Sequence, residues 1–141
     1  MSNVTGENVK ESFLRVGEIE PTKFSDFYKF VIEQFDVNGA RVVGEDDKII
    51  KRIGLCSGGG GSENDVIDAI NAGCDCYISG EIKLPAAQRA KYHDMCLIEV
   101  NHGVEKIVFY SLAKEMENDL GLVDRVIVTK VNTDPLRTVI K

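Results

Sequence analysis

Apolar positions along this chain fall into two rhythms. Phe24, Phe27, Tyr28, Val31, Ile32 and Phe35 recur at steps of three and four, the spacing of one helical face. This stripe predicts an amphipathic helix whose aromatic side pays into a core rather than into a ligand platform. The preceding run Phe13–Ile19 alternates instead, the period of a half-buried strand, with Pro21 expected to end it and Thr22 to cap the helix. Asn38-Gly39 is a stop signal for that helix. A short strand at Ala40–Val43 and an apolar run at Ile49–Leu55 follow, joined by the polar stretch Gly44–Lys48, read as a solvated hairpin turn.

From Ile49 onward strand and helix patterns alternate four times. Val66, Ile67, Ala69 and Ile70 mark a helix closed by Gly73. Cys76-Tyr77-Ile78 is a short, continuously apolar strand. Leu84–Tyr92 is a helix with Pro85 in its first turn, where proline is tolerated. Met95–Val100 is the next strand. Val104, Ile107, Val108, Ser111, Leu112 and Met116 predict a long amphipathic helix, and Val126-Ile127-Val128 a final strand. Such alternation predicts one layered α/β domain, with helices packed on a mixed, mainly parallel sheet, over residues 13–141. Residues 1–12 are polar and read as a disordered lead-in or a cut linker.

The most unusual stretch is Ser57-Gly58-Gly59-Gly60-Gly61-Ser62, set between a strand and a helix. Glycines there permit positive φ and close approach, and Ser62 is a natural N-cap. With right-handed crossovers, this loop, the segment Ser79–Lys83 and Asn101-His102-Gly103 share the carboxyl edge of the sheet, where open α/β sheets bind ligands. A phosphate-cradle reading is weak. The loop holds no lysine, fits neither glycine-rich nucleotide motif, and runs into Glu63.

Composition narrows the picture further. The 141 residues carry a formal net charge of −6, which argues against a nucleic-acid footprint. No apolar run is long enough for a membrane span, and the amino-terminal residues do not form a signal peptide. A cytoplasmic setting is therefore expected, and with it reduced thiols. Cys56, Cys74, Cys76 and Cys96 read as small buried hydrophobes, with Cys74 and Cys76 expected on one face.

His102 is the sharpest candidate for chemistry. Glu105 lies three residues on, so both share a helical face, and imidazole plus carboxylate suits zinc, iron or manganese. A capping histidine with an acidic first turn fits the same spacing. Glu81 and Lys83 sit at the same sheet edge, as acid–base groups, as polar contacts of a site, or as a solvated pair. His93 is expected in a surface loop at the opposite edge.

Several linked stretches resemble one family in order and spacing. They are Leu55–Ser62, Ala72–Asp75, Tyr77–Lys83 and Leu97–His102, with Leu14–Glu18 upstream and Asn132–Pro135 downstream. Together, over about residues 13–137, they resemble the NGG-one-interacting-factor-three family. It includes YbgI-like and GTP cyclohydrolase I type-two-like proteins. The resemblance implies a dinuclear-metal α/β protein in which the metals lie between two similar halves and the chains assemble into homo-oligomers. It implies His102 and Glu105 as ligands of a divalent transition metal, with the glycine loop, Glu81 and Lys83 around the cleft. The full protein would be a hydrolase using metal-activated water. Two departures stand out. The family spaces this His and Glu by four residues, and its downstream histidine is here Pro85. The chain has only two histidines and no paired-histidine motif, so it resembles the carboxyl-terminal half alone. It is then either a fragment or a short protein whose missing ligands come from a partner. The contrasting expectation is a non-catalytic interaction or assembly module with an incomplete site.

Overall fold

The computed structural model describes residues 7–8, 13–119, 121–123, 125–131 and 134–135. Apart from residues 7–8, the expected lead-in over residues 1–12 lies outside these, as do residues 132–133 of the closing turn. The strands are β1 (Glu7–Asn8), β2 (Arg15–Lys23), β3 (Arg41–Val43), β4 (Ile49–Cys56), β5 (Cys76–Ser79) and β6 (Cys96–Glu99). The helices are α1 (Phe24–Phe35), α2 (Glu63–Asn71), α3 (Leu84–Tyr92) and α4 (Val108–Asp119), with a 3₁₀ helix at His102–Ile107 leading into α4.

The six strands form one sheet in the order β1-β2-β4-β5-β6-β3. The central strands β4, β5 and β6 are parallel, and β1, β2 and β3 are antiparallel to their neighbours. Both faces of the centre are covered, which explains why β5 reads as an unbroken apolar run: all four of its residues are buried. Alternation sends Tyr77 to the side of α2 and α3, where it packs with Val66, Ala69, Ala86 and Ala90. Ile78 goes to the other side, against Phe24, Phe27 and Val31 of α1. The aromatic stripe of α1 is core, as its period implied. Asp75 closes the amino end of the parallel pair, its Oδ2 accepting the Lys51 and Arg52 N–H groups at 2.9 and 2.8 Å.

Five local expectations need correction. β2 runs through Pro21 to Lys23, because a register irregularity between Glu18 and Thr22 makes room for a residue that cannot donate to the ladder. Thr22 is consequently inside the strand. Its hydroxyl donates to the Glu20 carbonyl, and α1 starts after Lys23 with no side-chain cap. That helix ends early, at Asp36 in the left-handed region (φ 51°), with the Val37 N–H returning to Ile32. Gly44–Lys48 is no hairpin turn. β3 pairs with β6 at the far edge while β4 lies between β2 and β5. Cys74 and Cys76 belong to opposite faces, since Cys74 still completes the end of α2, its N–H bonded to Ala69, before the strand begins.

The predicted final strand is absent: residues 126–131 have no regular structure. β3 already occupies the free edge of β6, so no ladder position remains beside it. The long helix predicted from Val104 is divided. Its first part is the 3₁₀ turn, which buries Val104, and α4 has no buried residue.

Candidate functional site

The loops after β4, β5 and β6 converge at the carboxyl edge of the sheet. Gly61 lies against the loop after β5 so closely that a Cβ there would stand 1.8 Å from the Glu81 carbonyl oxygen. The Lys83 N–H donates to the Gly61 carbonyl at 3.0 Å. This backbone-to-backbone seam is what the glycine is for. Gly60 faces inward, where its carbonyl accepts the buried Tyr77 hydroxyl. Burial raises the pKa of that phenol, which stays protonated as a donor at neutral pH. Gly58 (φ 67°) and Gly59 have open space where a Cβ would be, and they form the exposed lip.

The helix after the loop uses its own N-terminal donors. Ser62 and Asp65 form a reciprocal capping box, with the Ser62 N–H on Asp65 at 2.9 Å. Glu63 is held by Arg89 through its Nε at 2.8 Å. The positive helix end is therefore filled by the protein's own carboxylates, which disposes of the phosphate-cradle reading on structural grounds.

His102 and Glu105 lie on one 3₁₀ turn, where three residues complete a turn and positions i and i+3 eclipse. The three-residue spacing, short for an α-helix pair, thus stacks the two side chains directly, with Nε2 4.0 Å from Oε2. The other carboxylate oxygen of Glu105 accepts the Gly58 N–H across the cleft. The glycine loop orients this carboxylate and leaves Oε2 turned toward the imidazole. Asn101 sets up the turn from a strained position (φ 80°), its side chain accepting the Gly103 N–H at 2.7 Å. Gly80 passes beneath, where a Cβ would meet the His102 Cα at 3.3 Å.

Two concavities meet at His102. A cleft of about 500 Å³ is lined by Gly58, Gly59, Gly61, Glu81, Lys83 and His102, together with Arg41, Glu99 and Asn101. A larger, mainly apolar groove of about 990 Å³ holds Ser57, His102 and Glu105 at one end and runs along α4. The structure thus gathers most of the residues singled out by sequence. Gly60 and Ser62 line neither concavity, being taken up by Tyr77 and by the α2 cap. Glu81 and Lys83 do not pair with each other. His93 caps α3 on the surface, away from the cleft.

Sequence reasoning missed Arg41 and Glu99. Glu99 ends β6 with only 14% of its side chain exposed, and Arg41 grips it through Nε at 3.1 Å and Nη2 at 2.6 Å. The only sequence signal was a lone acid closing an apolar strand. Its partner, 58 residues away, could not be guessed without the sheet order. Among the described residues there is no group of three His, Cys, Asp or Glu side chains placed to hold a metal.

A doubly covered, mixed sheet with a parallel centre, a glycine loop, a polar strand-end loop and a histidine–carboxylate turn at its carboxyl edge defines an α/β cleft protein. The Duf34/NIF3 (NGG1p interacting factor 3) family model matches residues 3–135, and the chain belongs to this family. It is 26% identical over 125 residues to the GTP cyclohydrolase 1 type 2 homolog of Bacillus subtilis (strain 168), covering 86% of this chain and 33% of that protein. It is 32% identical over 117 residues to the protein of that name from Staphylococcus aureus (strain N315), covering 79% of this chain and 31% of that one. Among solved structures, Staphylococcus aureus protein SA1388 superposes with a TM-score of 0.76 at 27% identity, over 89% of this chain and 42% of that chain. The chain spans about a third of the length of these two curated relatives.

Proposed function

We propose that this chain supplies one side of a divalent transition-metal centre (zinc, iron or manganese), completed by ligands from a partner chain or a second half. In its complete form the centre carries out hydrolysis. The observation that carries this reading is the stacked His102–Glu105 pair, its carboxylate oriented by the Gly58 N–H at the ligand-binding edge of the sheet. The donor chemistry fits such a metal, and holding the outer oxygen of the carboxylate in place is a usual way to orient a ligand. The donor count does not fit a whole site. Zinc takes three or four protein ligands, and two are gathered here among the described residues. No chemical step is therefore assigned to this chain by itself. Membership of the family supports the reading, and the names of the relatives suggest GTP as the specific substrate to try first. Four buried free thiols fit a cytoplasmic setting.

Titration of the purified chain with Zn²⁺ or Mn²⁺ by calorimetry tests the proposal. Weak binding, lost in both His102→Ala and Glu105→Ala, is the expected result. Binding that neither substitution alters would remove these residues from the site. The incomplete donor set favours a second reading, a non-catalytic assembly module. It predicts no metal uptake and a His102→Ala variant that is indistinguishable from the parent.

A further inference from the structure

The glycine loop has two parts that are held very differently. Gly60 and Gly61 are buried. The Gly60 carbonyl accepts the Tyr77 hydroxyl, and Gly61 is pressed against the loop after β5 and bonded to the Lys83 N–H. Ser57, Gly58 and Gly59 lie outside that seam, with Ser57 and Gly59 exposed. Beyond their chain neighbours, neither Gly58 nor Gly59 has an atom within 4 Å of where a Cβ would be, so packing does not hold them. Among the described residues, two hydrogen bonds reach this three-residue lip. The Cys56 thiol, a weak donor, lies 3.5 Å from the carbonyl of Ser57, its own neighbour, and ties the lip to nothing further. The other bond runs from the Gly58 N–H to the carboxylate of Glu105, 47 residues away.

That second bond crosses the boundary between the two concavities. Gly58 and Gly59 line the polar cleft and not the apolar groove, whereas Ser57 and Glu105 line the groove and not the cleft. His102 lines both. Only 34% of the Glu105 side chain is exposed, so water competes for its oxygen from one side alone. Glu105 stands on a 3₁₀ turn that buries Val104 and is fixed at its start by the Asn101 side chain. The carboxylate is thus the rigid partner of this bond, and the two glycines are the partner free to move.

We propose that Ser57–Gly59 is a lid, latched by Glu105, that partitions the polar cleft from the apolar groove. Its hinges are Cys56, the last residue of β4, and Gly60, where the seam begins. Lids turn on a few residues that absorb large dihedral changes, and Gly58 and Gly59 do so without meeting another atom. Opening exchanges the carboxylate for water at the Gly58 N–H and joins the two concavities past His102. A ligand held by polar groups in the cleft then has room to extend an apolar part along α4. One hydrogen bond to a carboxylate suits a latch: it favours the closed lid by roughly tenfold and still yields to thermal motion. The latch uses the oxygen turned away from the imidazole, so it stands whether or not a metal binds at His102 and Glu105.

Amide exchange in the isotope-labelled full chain, followed by NMR with no metal added, tests this. Its outcome is therefore separate from that of the metal titration. The Gly58 amide should exchange roughly tenfold more slowly than its unstructured rate. Glu105→Ala should abolish that protection and raise the nanosecond motion of Ser57–Gly59. The Lys83 N–H, bonded to Gly61 across the seam, should keep its protection in the same variant. Glu105→Gln retains an acceptor and should keep part of the protection of Gly58. A Gly58 amide that exchanges at one rate in the parent and in Glu105→Ala overturns the proposal. So does a Glu105→Ala chain in which Lys83 loses protection together with Gly58, because the whole loop then comes away and the lip does not move as a lid.

Discussion

Replacing Gly61 by alanine tests whether the glycine loop and the loop after β5 are welded together as the structure has them. The added methyl would sit 1.8 Å from the Glu81 carbonyl oxygen and 2.7 Å from its carbon, where real Cβ contacts essentially never fall below 3.0 Å. Backbone lies on the other side, so no side chain can swing away. One loop must move, and the Lys83–Gly61 hydrogen bond goes with it. Forcing atoms into a packed contact costs roughly 1–3 kcal/mol, and the lost bond adds about 1 kcal/mol. A total of about 2–4 kcal/mol, with a urea m-value of about 2 kcal/mol/M, lowers the unfolding midpoint by about 1–2 M. Two neighbours calibrate the effect. Gly59 has nothing within 4 Å and no positive φ, so Gly59→Ala should be neutral or stabilise by roughly 0.5 kcal/mol. Gly58 has equal room but φ 67°, so Gly58→Ala should cost roughly 1–2 kcal/mol from backbone strain alone. Urea melts followed by circular dichroism would read all three. If Gly61→Ala unfolds at the same midpoint as Gly59→Ala, the seam does not exist as described.

Other variants probe the supports of the site. Tyr77→Phe removes the buried donor to the Gly60 carbonyl and should cost about 1–3 kcal/mol in the same melts; an unchanged midpoint would mean that the hydroxyl holds nothing. Ser62→Ala breaks the α2 capping box and should cost about 1 kcal/mol, while Ser62→Asn should recover most of it. Burial pushes the Cys74 and Cys96 thiols up to about 11 and raises Cys76 as well. Folding thus favours their protonated forms. The stability they contribute is whole below their unfolded pKa near 9 and is lost as pH climbs toward 11. Unfolding midpoints measured from pH 8 to about 11 should fall steadily, and substituting Cys74 by alanine should flatten part of that fall; a level profile would place the thiols in water.

How much of this was legible in the sequence depended on whether the deciding contacts were local. Helical periodicity, the short apolar strands and the alternation of elements fixed the layered sheet, because each rests on neighbours within a turn or two. His102 and Glu105 could be paired on spacing, but not their exact stacking: the 3₁₀ geometry that aligns them carries no signal in residue type. The Pro21 error was one of propensity overridden by a bulge in a strand gripped on both sides. Val126–Val128 has every mark of a strand, but it has no regular structure, and the edge of β6 is taken by β3. α4 misled in a different way. Its apolar periodicity promised a buried face, and among the described residues nothing buries it.

The placement of β3 also bears on how the chain comes to be folded during synthesis. The glutamate that Arg41 grips is made 58 residues after it. Val42 and Val43 likewise await Ile98 and Leu97. While β4 and β5 are being made, β3 is an unpaired apolar ribbon with no ladder to join. Once β6 has joined β5, β3 can close the sheet from the far side, with Lys48 anchoring the crossing through Asp94 at 2.7 Å. The last piece to lock is then made before the three parallel strands whose sheet it closes. A ribosome stalled before Glu99 would hold a sheet with an open edge, the species most exposed to aggregation.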